Sequence, residues 1–181
     1  MIHNNRLKLW SLNCNSLRKT HSVAARSSLM RYLRQQQPHL LSLQETHAIN
    51  TTTEHAFHQQ LLAHSSLWTW YCGLISSSLD ITLTHTQIDL GDFRERIILA
   101  HATSTISSFQ DFHILVIYAP ATSSIRVCWS FFHALLQSSV FSLSADFMER
   151  LIISGDFDYN CYNSAERHLS SIARGRFAVL L

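Results

Sequence analysis

Glycine and proline are scarce, with 4 and 2 in 181 residues. Strong turn markers are therefore few. No Gly/Ser/Pro-rich linker, low-complexity tract or internal repeat divides the chain, which reads as one domain, residues 1–181. Charged residues are also few, at 14% against the usual ~25%. The net charge of +2 is too weak by itself to mark an electrostatic nucleic-acid binder, which usually carries a basic patch and a higher pI. The 4 cysteines, Cys14, Cys72, Cys128 and Cys161, form no CxxC pair. That argues against a zinc site and for reduced, mostly buried thiols in an intracellular protein. No run near the N-terminus has the length of a signal-peptide apolar region. The longest apolar-rich stretch, Ile125 to Phe147, is interrupted by His133, Gln137 and five serines. It predicts a buried amphipathic helix and no membrane span.

What is present is apolar. The hydrophobic fraction of 46% is enough for a sizeable core and excludes a disordered chain. The 12 histidines make the charge rise below about pH 6.5. Leu7 to Asn13 alternates apolar and polar residues, as a half-buried strand does. Val23 to Gln37 suits an amphipathic helix, stopped by Pro38. His39 to Gln44, Trp68 to Ile75, Ile81 to Gln87, Ile97 to Ala102, Phe112 to Tyr118 and Leu151 to Ser154 are strand candidates, and Ala56 to Leu62 a short helix. Early and late strands separated by helices, with a strand-rich middle, predict an α/β or α+β layered sandwich. Several strands end on a polar residue: Asn13, Glu45, Tyr118 and Asp156. Strand ends converging on one sheet edge are rigid supports for a site.

Singly, each of these residues has a plain structural reading: a turn-forming Asn, a solvated or capping Glu, a Tyr packing at the core edge. Their order and surroundings carry more. Leu9-Trp10-Ser11-Leu12-Asn13-Cys14-Asn15-Ser16-Leu17-Arg18 resembles the opening motif of the endonuclease/exonuclease/phosphatase family, Ser-Trp-Asn-x-Asn-Gly-Leu-Arg. Pro38 to Thr46 is similar to the second motif, which ends in Leu-Gln-Glu-Thr. Ile114-Leu115-Val116-Ile117-Tyr118-Ala119-Pro120 resembles the third, Val-Tyr-Ala-Pro. Ile152 to Asp158 resembles the Gly-Asp-Phe-Asn motif. The wording Gln-Glu-Thr-His and Tyr-Ala-Pro is closest to the apurinic-type endonuclease domain of LINE-type retrotransposons.

The resemblance implies a DNase I-like four-layer sandwich, two packed mixed β-sheets flanked by helices. It implies hydrolysis of a phosphodiester with Mg²⁺ or Mn²⁺, and nucleic acid, DNA in the first instance, as partner. For a retroelement endonuclease it also implies a nuclear location. Mg²⁺ takes oxygen ligands, one or two carboxylates and several waters. Glu45 supplies a carboxylate to the metal in this reading, and Asn13 a carbonyl or a hydrogen bond to bound water. Asp156 orients and deprotonates the attacking water or supports a neighbouring group, with Asp158 beside it in the catalytic set. Tyr118 donates to the phosphate, where charge builds. Two readings compete: an inactive remnant that at most binds nucleic acid, and a phosphatase- or sphingomyelinase-like relative. Arg18, Lys19, Arg26, Arg31 and Arg34 fit a solvated helix face better than a backbone-binding track. Trp68, Trp70 and Tyr71 fit a sheet face better than a base-stacking platform.

Three features depart from the family pattern. Ser16 stands where a glycine is usual, at a position that often needs positive φ. The family places a further metal-site Asp, a Ser-Asp-His ending and further strands beyond Leu181, so the domain is expected to be incomplete. His168 reads as a surface helix residue and does not replace that histidine. Asp158 stands where the family has Asn. An ionised carboxylate donates no hydrogen bond, and beside Asp156 it repels an anionic substrate. Asp158→Asn is therefore expected to raise turnover in a cleavage assay; unchanged turnover would count against this placement of Asp158.

Overall fold

A computed structural model describes residues 6–18, 22–106, 109–121, 124–142 and 144–157. The element order is β1 (Leu9–Asn13), α1 (Val23–Gln35), β2 (Leu40–Gln44), α2 (Thr51–Leu61), β3 (Ser65–Trp68), β4 (Cys72–Ser76), β5 (Ile81–Thr86), a 3₁₀ turn (Gly91–Arg96), β6 (Ile97–Ser104), β7 (Phe112–Tyr118), α3 (Ile125–Gln137), a 3₁₀ turn (Ser139–Ser142), α4 (Ala145–Glu149) and β8 (Leu151–Asp156). Two four-stranded sheets form, ordered β1-β2-β4-β3 and β5-β6-β7-β8. Each contains one parallel pair, β1 with β2 and β7 with β8; every other pairing is antiparallel. Both sheets are therefore mixed. The fold is α/β, with the sheets face to face and helices outside.

The period-two pattern of the strands builds three apolar seams. In β6 and β7, Ile98, Ala100, Ala102, Ile114, Val116 and Tyr118 face the other sheet, where Leu40, Cys72 and Leu74 meet them. The alternate residues, Ile97, Leu99, Leu115 and Ile117, face Phe131 and Leu135 of α3. On the far side Leu41, Leu43 and Ile75 pack on Met30 and Leu33 of α1 and on Phe57 and Leu61 of α2. Phe131, Leu135, Leu43 and Ile114 are fully buried, each worth roughly 1.5–3 kcal/mol of transfer free energy.

Two expected elements differ. The Ile125–Phe147 helix is three short pieces. The Ser138 hydroxyl donates to the Leu135 carbonyl and closes α3, and Ser144 accepts from the Phe147 N–H to open α4. The expected strand Trp68–Ile75 is a hairpin. The Thr69 hydroxyl accepts from the Cys72 N–H while the Thr69 N–H donates to the Cys72 carbonyl, making a tight turn with neither glycine nor proline at 69–71. Scarce glycine leaves other residues to take the left-handed region. Asn15, Ser16, Gln37, Glu45, His47 and Leu62 all have positive φ. At Leu62 the backbone N–H bonds back to Gln59 and His58 carbonyls and ends α2 without glycine. Ser16, at φ 63, is at the place where glycine is usual.

Gly155 is a position where a side chain does not fit. Its φ is +152, and a Cβ there would run into the Ile117 carbonyl of the adjacent parallel strand. Gly155→Ala is expected to lower the unfolding free energy by more than about 2 kcal/mol in urea titration, from strain and overlap together.

Candidate functional site

Both parallel pairs end at the same rim. Asn13 is the last residue of β1, Glu45 follows β2, Tyr118 ends β7 and Asp156 ends β8. Register supports this. Asn13 pairs with Gln44 at the end of the β1–β2 ladder, and Tyr118 with Asp156 at the end of the β7–β8 ladder. β1 and β2 approach β8 and β7 across the sandwich, so side chains from the two sheets meet.

The structure joins the four side chains by hydrogen bonds. The Asn13 amide nitrogen donates to Glu45 Oε1 at 2.9 Å and to Asp156 Oδ2 at 2.7 Å, the latter across 143 residues of chain. The Asn13 carbonyl oxygen faces the other way and accepts from the Asn15 N–H at 2.9 Å. The Tyr118 hydroxyl donates to Glu45 Oε1 at 3.0 Å. Asn13 is exposed, Glu45 and Asp156 are half-buried, and Tyr118 is 7% exposed. Asp158 lies outside the described residues, as do Lys19, Cys161 and His168.

Local backbone sets this up. Asn15, Ser16, Glu45 and His47, all close to the rim, are at positive φ. Such residues cluster where the surroundings over-determine the backbone. The Cys14 N–H donates to the Gln44 carbonyl and the Leu17 N–H to the Glu45 carbonyl, tying the loop after β1 to the end of β2. The Thr46 and Ala48 N–H groups reach the Tyr71 and Trp70 carbonyls, so the β3–β4 turn forms one wall.

Two carboxylates converging on one amide nitrogen form a locally acidic pocket. Glu45 has no lysine, arginine or histidine ion-pair partner among the described residues. Nor do three or more His, Cys, Asp or Glu residues gather into a cage among them. Mg²⁺ suits such a pair, because it uses one or two carboxylates and completes its shell with water and substrate oxygens. A hard divalent cation would find the Glu45 carboxylate here, with the Asp156 carboxylate held on the same Asn13 amide nitrogen. The Asn13 oxygen is engaged with Asn15, so its contribution to the pocket is its N–H groups.

Sequence reading missed the wall beside these residues. Arg96 lies over the Tyr71 and Tyr118 rings, 4.3 and 5.1 Å from their centroids. Trp70 is 40% exposed and meets His47 edge-on. Trp68 instead packs on Phe57 and covers Gly73. Nothing in the run Arg96-Ile97-Ile98-Leu99 singles out its first residue, because its role comes from a tertiary contact. Of the basic residues near the first motif, Arg31 and Arg34 are exposed, while the half-buried Arg26 donates to the Arg18 carbonyl. Cys14 and Cys72 are buried, and burial pushes the Cys72 thiol well above the ordinary range. No helix among the described residues is long and apolar enough to cross a membrane.

The sequence matches no family model and no curated protein. The fold does match solved structures. A Danio rerio TDP2 complexed with a single-strand DNA product is 14% identical, with a TM-score of 0.60 over 91% of this chain and 64% of that one. An endonuclease/exonuclease/phosphatase family protein from Bacteroides thetaiotaomicron is 8% identical, with a TM-score of 0.63 over 91% and 68%. The mannosyl-6-phosphatase Bt3783 of the same bacterium is 10% identical, with a TM-score of 0.62 over 92% and 71%. This chain thus spans under two thirds of the TDP2 chain, and what it shares with all three is the two-sheet sandwich.

Burial, the bond to Glu45 and the charges of Glu45 and Asp156 raise the Tyr118 phenol from its ordinary value near 10 to about 12, with Arg96 opposing. Its folded value is raised, so the stability of the neutral phenol is complete below pH 10 and is lost as the pH climbs towards 12. The urea midpoint is expected to fall across that interval in the wild type and less in Tyr118→Phe; equal falls would show that Tyr118 does not titrate in this way.

Proposed function

We propose that this chain is a divalent-cation-dependent phosphoesterase domain of the endonuclease/exonuclease/phosphatase type, acting on a phosphodiester. The observation that carries this is the hydrogen-bonded set Asn13, Glu45, Asp156 and Tyr118 at one rim of two stacked sheets. The finer reading is a DNA endonuclease domain of LINE-type retrotransposon origin. It draws on the four sequence motifs, and the DNA-bound TDP2 of the same fold is compatible with it. The whole chain is read as part of one such domain.

A bound Mg²⁺ or Mn²⁺ would supply charge neutralisation at a phosphate oxygen and at the leaving oxygen. The chain's own groups do the rest. Glu45 and Asp156 hold the cation's face of the pocket, and Asn13 fixes the distance between them through its two N–H bonds. Glu45 would be the residue to hold the cation, and the Tyr118 hydroxyl beside it is placed to donate to a phosphate, where negative charge grows. A phenol's ordinary value near 10 already keeps that proton in place throughout the neutral range. Asp156 is positioned to orient a water and to accept its proton. The likeness to a mannosyl-6-phosphatase favours a second reading, a phosphomonoesterase using the same rim.

The test is nicking of supercoiled plasmid with Mg²⁺, with and without EDTA, beside hydrolysis of a sugar phosphate. Nicking that EDTA abolishes, and that falls by about 10²-fold or more in Glu45→Ala and Asp156→Ala, is expected. Sugar-phosphate hydrolysis alone would favour the second reading. Neither activity, with no Mg²⁺-dependent rise in Tm, would leave an inactive remnant.

A further inference from the structure

We propose that Arg96 is a positioning residue for Tyr118: its guanidinium, laid over the Tyr71 and Tyr118 rings, fixes where the Tyr118 hydroxyl points and keeps it a strong donor. The inference rests on the reading of the rim as a phosphoester site. Arg96 Cζ is 4.3 Å from the Tyr71 centroid and 5.1 Å from that of Tyr118. The two rings are 5.5 Å apart and tilted by 35°, so the three groups form one closed triangle.

That triangle is anchored. Arg96 ends the 3₁₀ turn, and the preceding residue grips the β3–β4 turn that carries Tyr71. The Glu95 carbonyl accepts from the Thr69 hydroxyl at 2.8 Å and the Tyr71 N–H at 3.2 Å, and its carboxylate accepts from the Trp70 N–H at 3.0 Å. The Cys72 thiol reaches the Arg96 carbonyl at 3.2 Å. The backbone on both sides of the guanidinium is therefore held.

The guanidinium itself is not held by a carboxylate. Among the described residues it forms no ion pair, and its polar contact is a long one, Nη1 to the Ala119 carbonyl at 3.5 Å. A cation spent on a carboxylate would have little effect on a phenol. Here its charge faces the Tyr118 ring and draws electron density from it, which strengthens the O–H as a donor. Glu45 and Asp156 push the other way, and Arg96 is the opposing charge. Stacking on two rings needs a flat, delocalised cation. Lysine, a compact and strongly hydrated charge, does not reproduce it.

The test uses the full chain labelled with 3-fluorotyrosine, the Tyr118 resonance being assigned with Tyr118→Phe. Arg96→Met is expected to shift and broaden the Tyr118 signal while leaving that of Tyr32 in place. Arg96→Lys is expected to do the same and serves if Arg96→Met does not fold. In the cleavage assay, Arg96→Met is expected to lower kcat about tenfold with KM within about twofold, and to add nothing in a Tyr118→Phe background. An unmoved Tyr118 signal would overturn the proposal. So would an additive loss in the double variant, which would mean that Arg96 meets the phosphate itself. A wild-type chain that cleaves no phosphoester defeats the function reading alone, and the fluorine spectrum still decides the Arg96 contact.

Discussion

One amide holds the rim together. Asn13 has two N–H bonds to give, and it gives one to a carboxylate on each sheet. Glu45 and Asp156 are like charges, and a donor shared between them offsets their repulsion. The bridge works only if the amide cannot rotate, and the Asn15 N–H on its oxygen sees to that. The rest of the local structure follows from bringing β1 and β8 close enough for so short a side chain to span. The exposed Ser11 and the buried Ser42, two residue pairs below the Asn13–Gln44 pair, both bond to the Gln44 amide. Gly155 lets β8 lie against the Ile117 carbonyl one residue before Asp156.

Much of this was legible in the sequence, for physical reasons. The near-continuous apolar runs of Ile97–Ser104 and Phe112–Tyr118 identify strands because both faces of these strands are buried, against different layers. Polar residues that break apolar runs at Asn13, Glu45, Tyr118 and Asp156 mark strand ends, and the motif order placed them at one rim. The failures have a common cause. The hairpin at 69–71 and the breaks after Gln137 and Ser142 are closed by Thr69, Ser138 and Ser144 side chains. Hydroxyl residues are abundant here and glycine and proline are rare, so the usual punctuation is absent. Arg96 was invisible because its significance comes from ring contacts between elements far apart in sequence, which no local pattern encodes.

The distribution of charge bears on how a substrate would approach. The first acidic residue of the chain is Glu45, whereas Arg6, Lys8, Arg18, Lys19, Arg26, Arg31 and Arg34 all precede it. The wall on the other side of the rim is acidic. A cleft of about 510 Å³ there is lined by Trp68, Trp70 and Tyr71 together with Glu54 and Glu95. Burial, and after it the Glu95 charge, raise the Glu54 carboxyl above its ordinary value.

If the substrate is a polyanion, these two flanks are not equivalent. A backbone laid along the Glu54–Glu95 cleft would meet two carboxylates beyond the pair at the rim. Laid over the loop after β1, it would meet the exposed Arg18, whereas Arg34 lines a groove with Lys8 and Pro38 at the opposite end of the β1–β2 pair. The exposed Trp70 then stands at the margin of the path, able to receive a base or a sugar face but badly placed to receive a phosphate. A small phosphomonoester needs neither flank and would answer only to the rim.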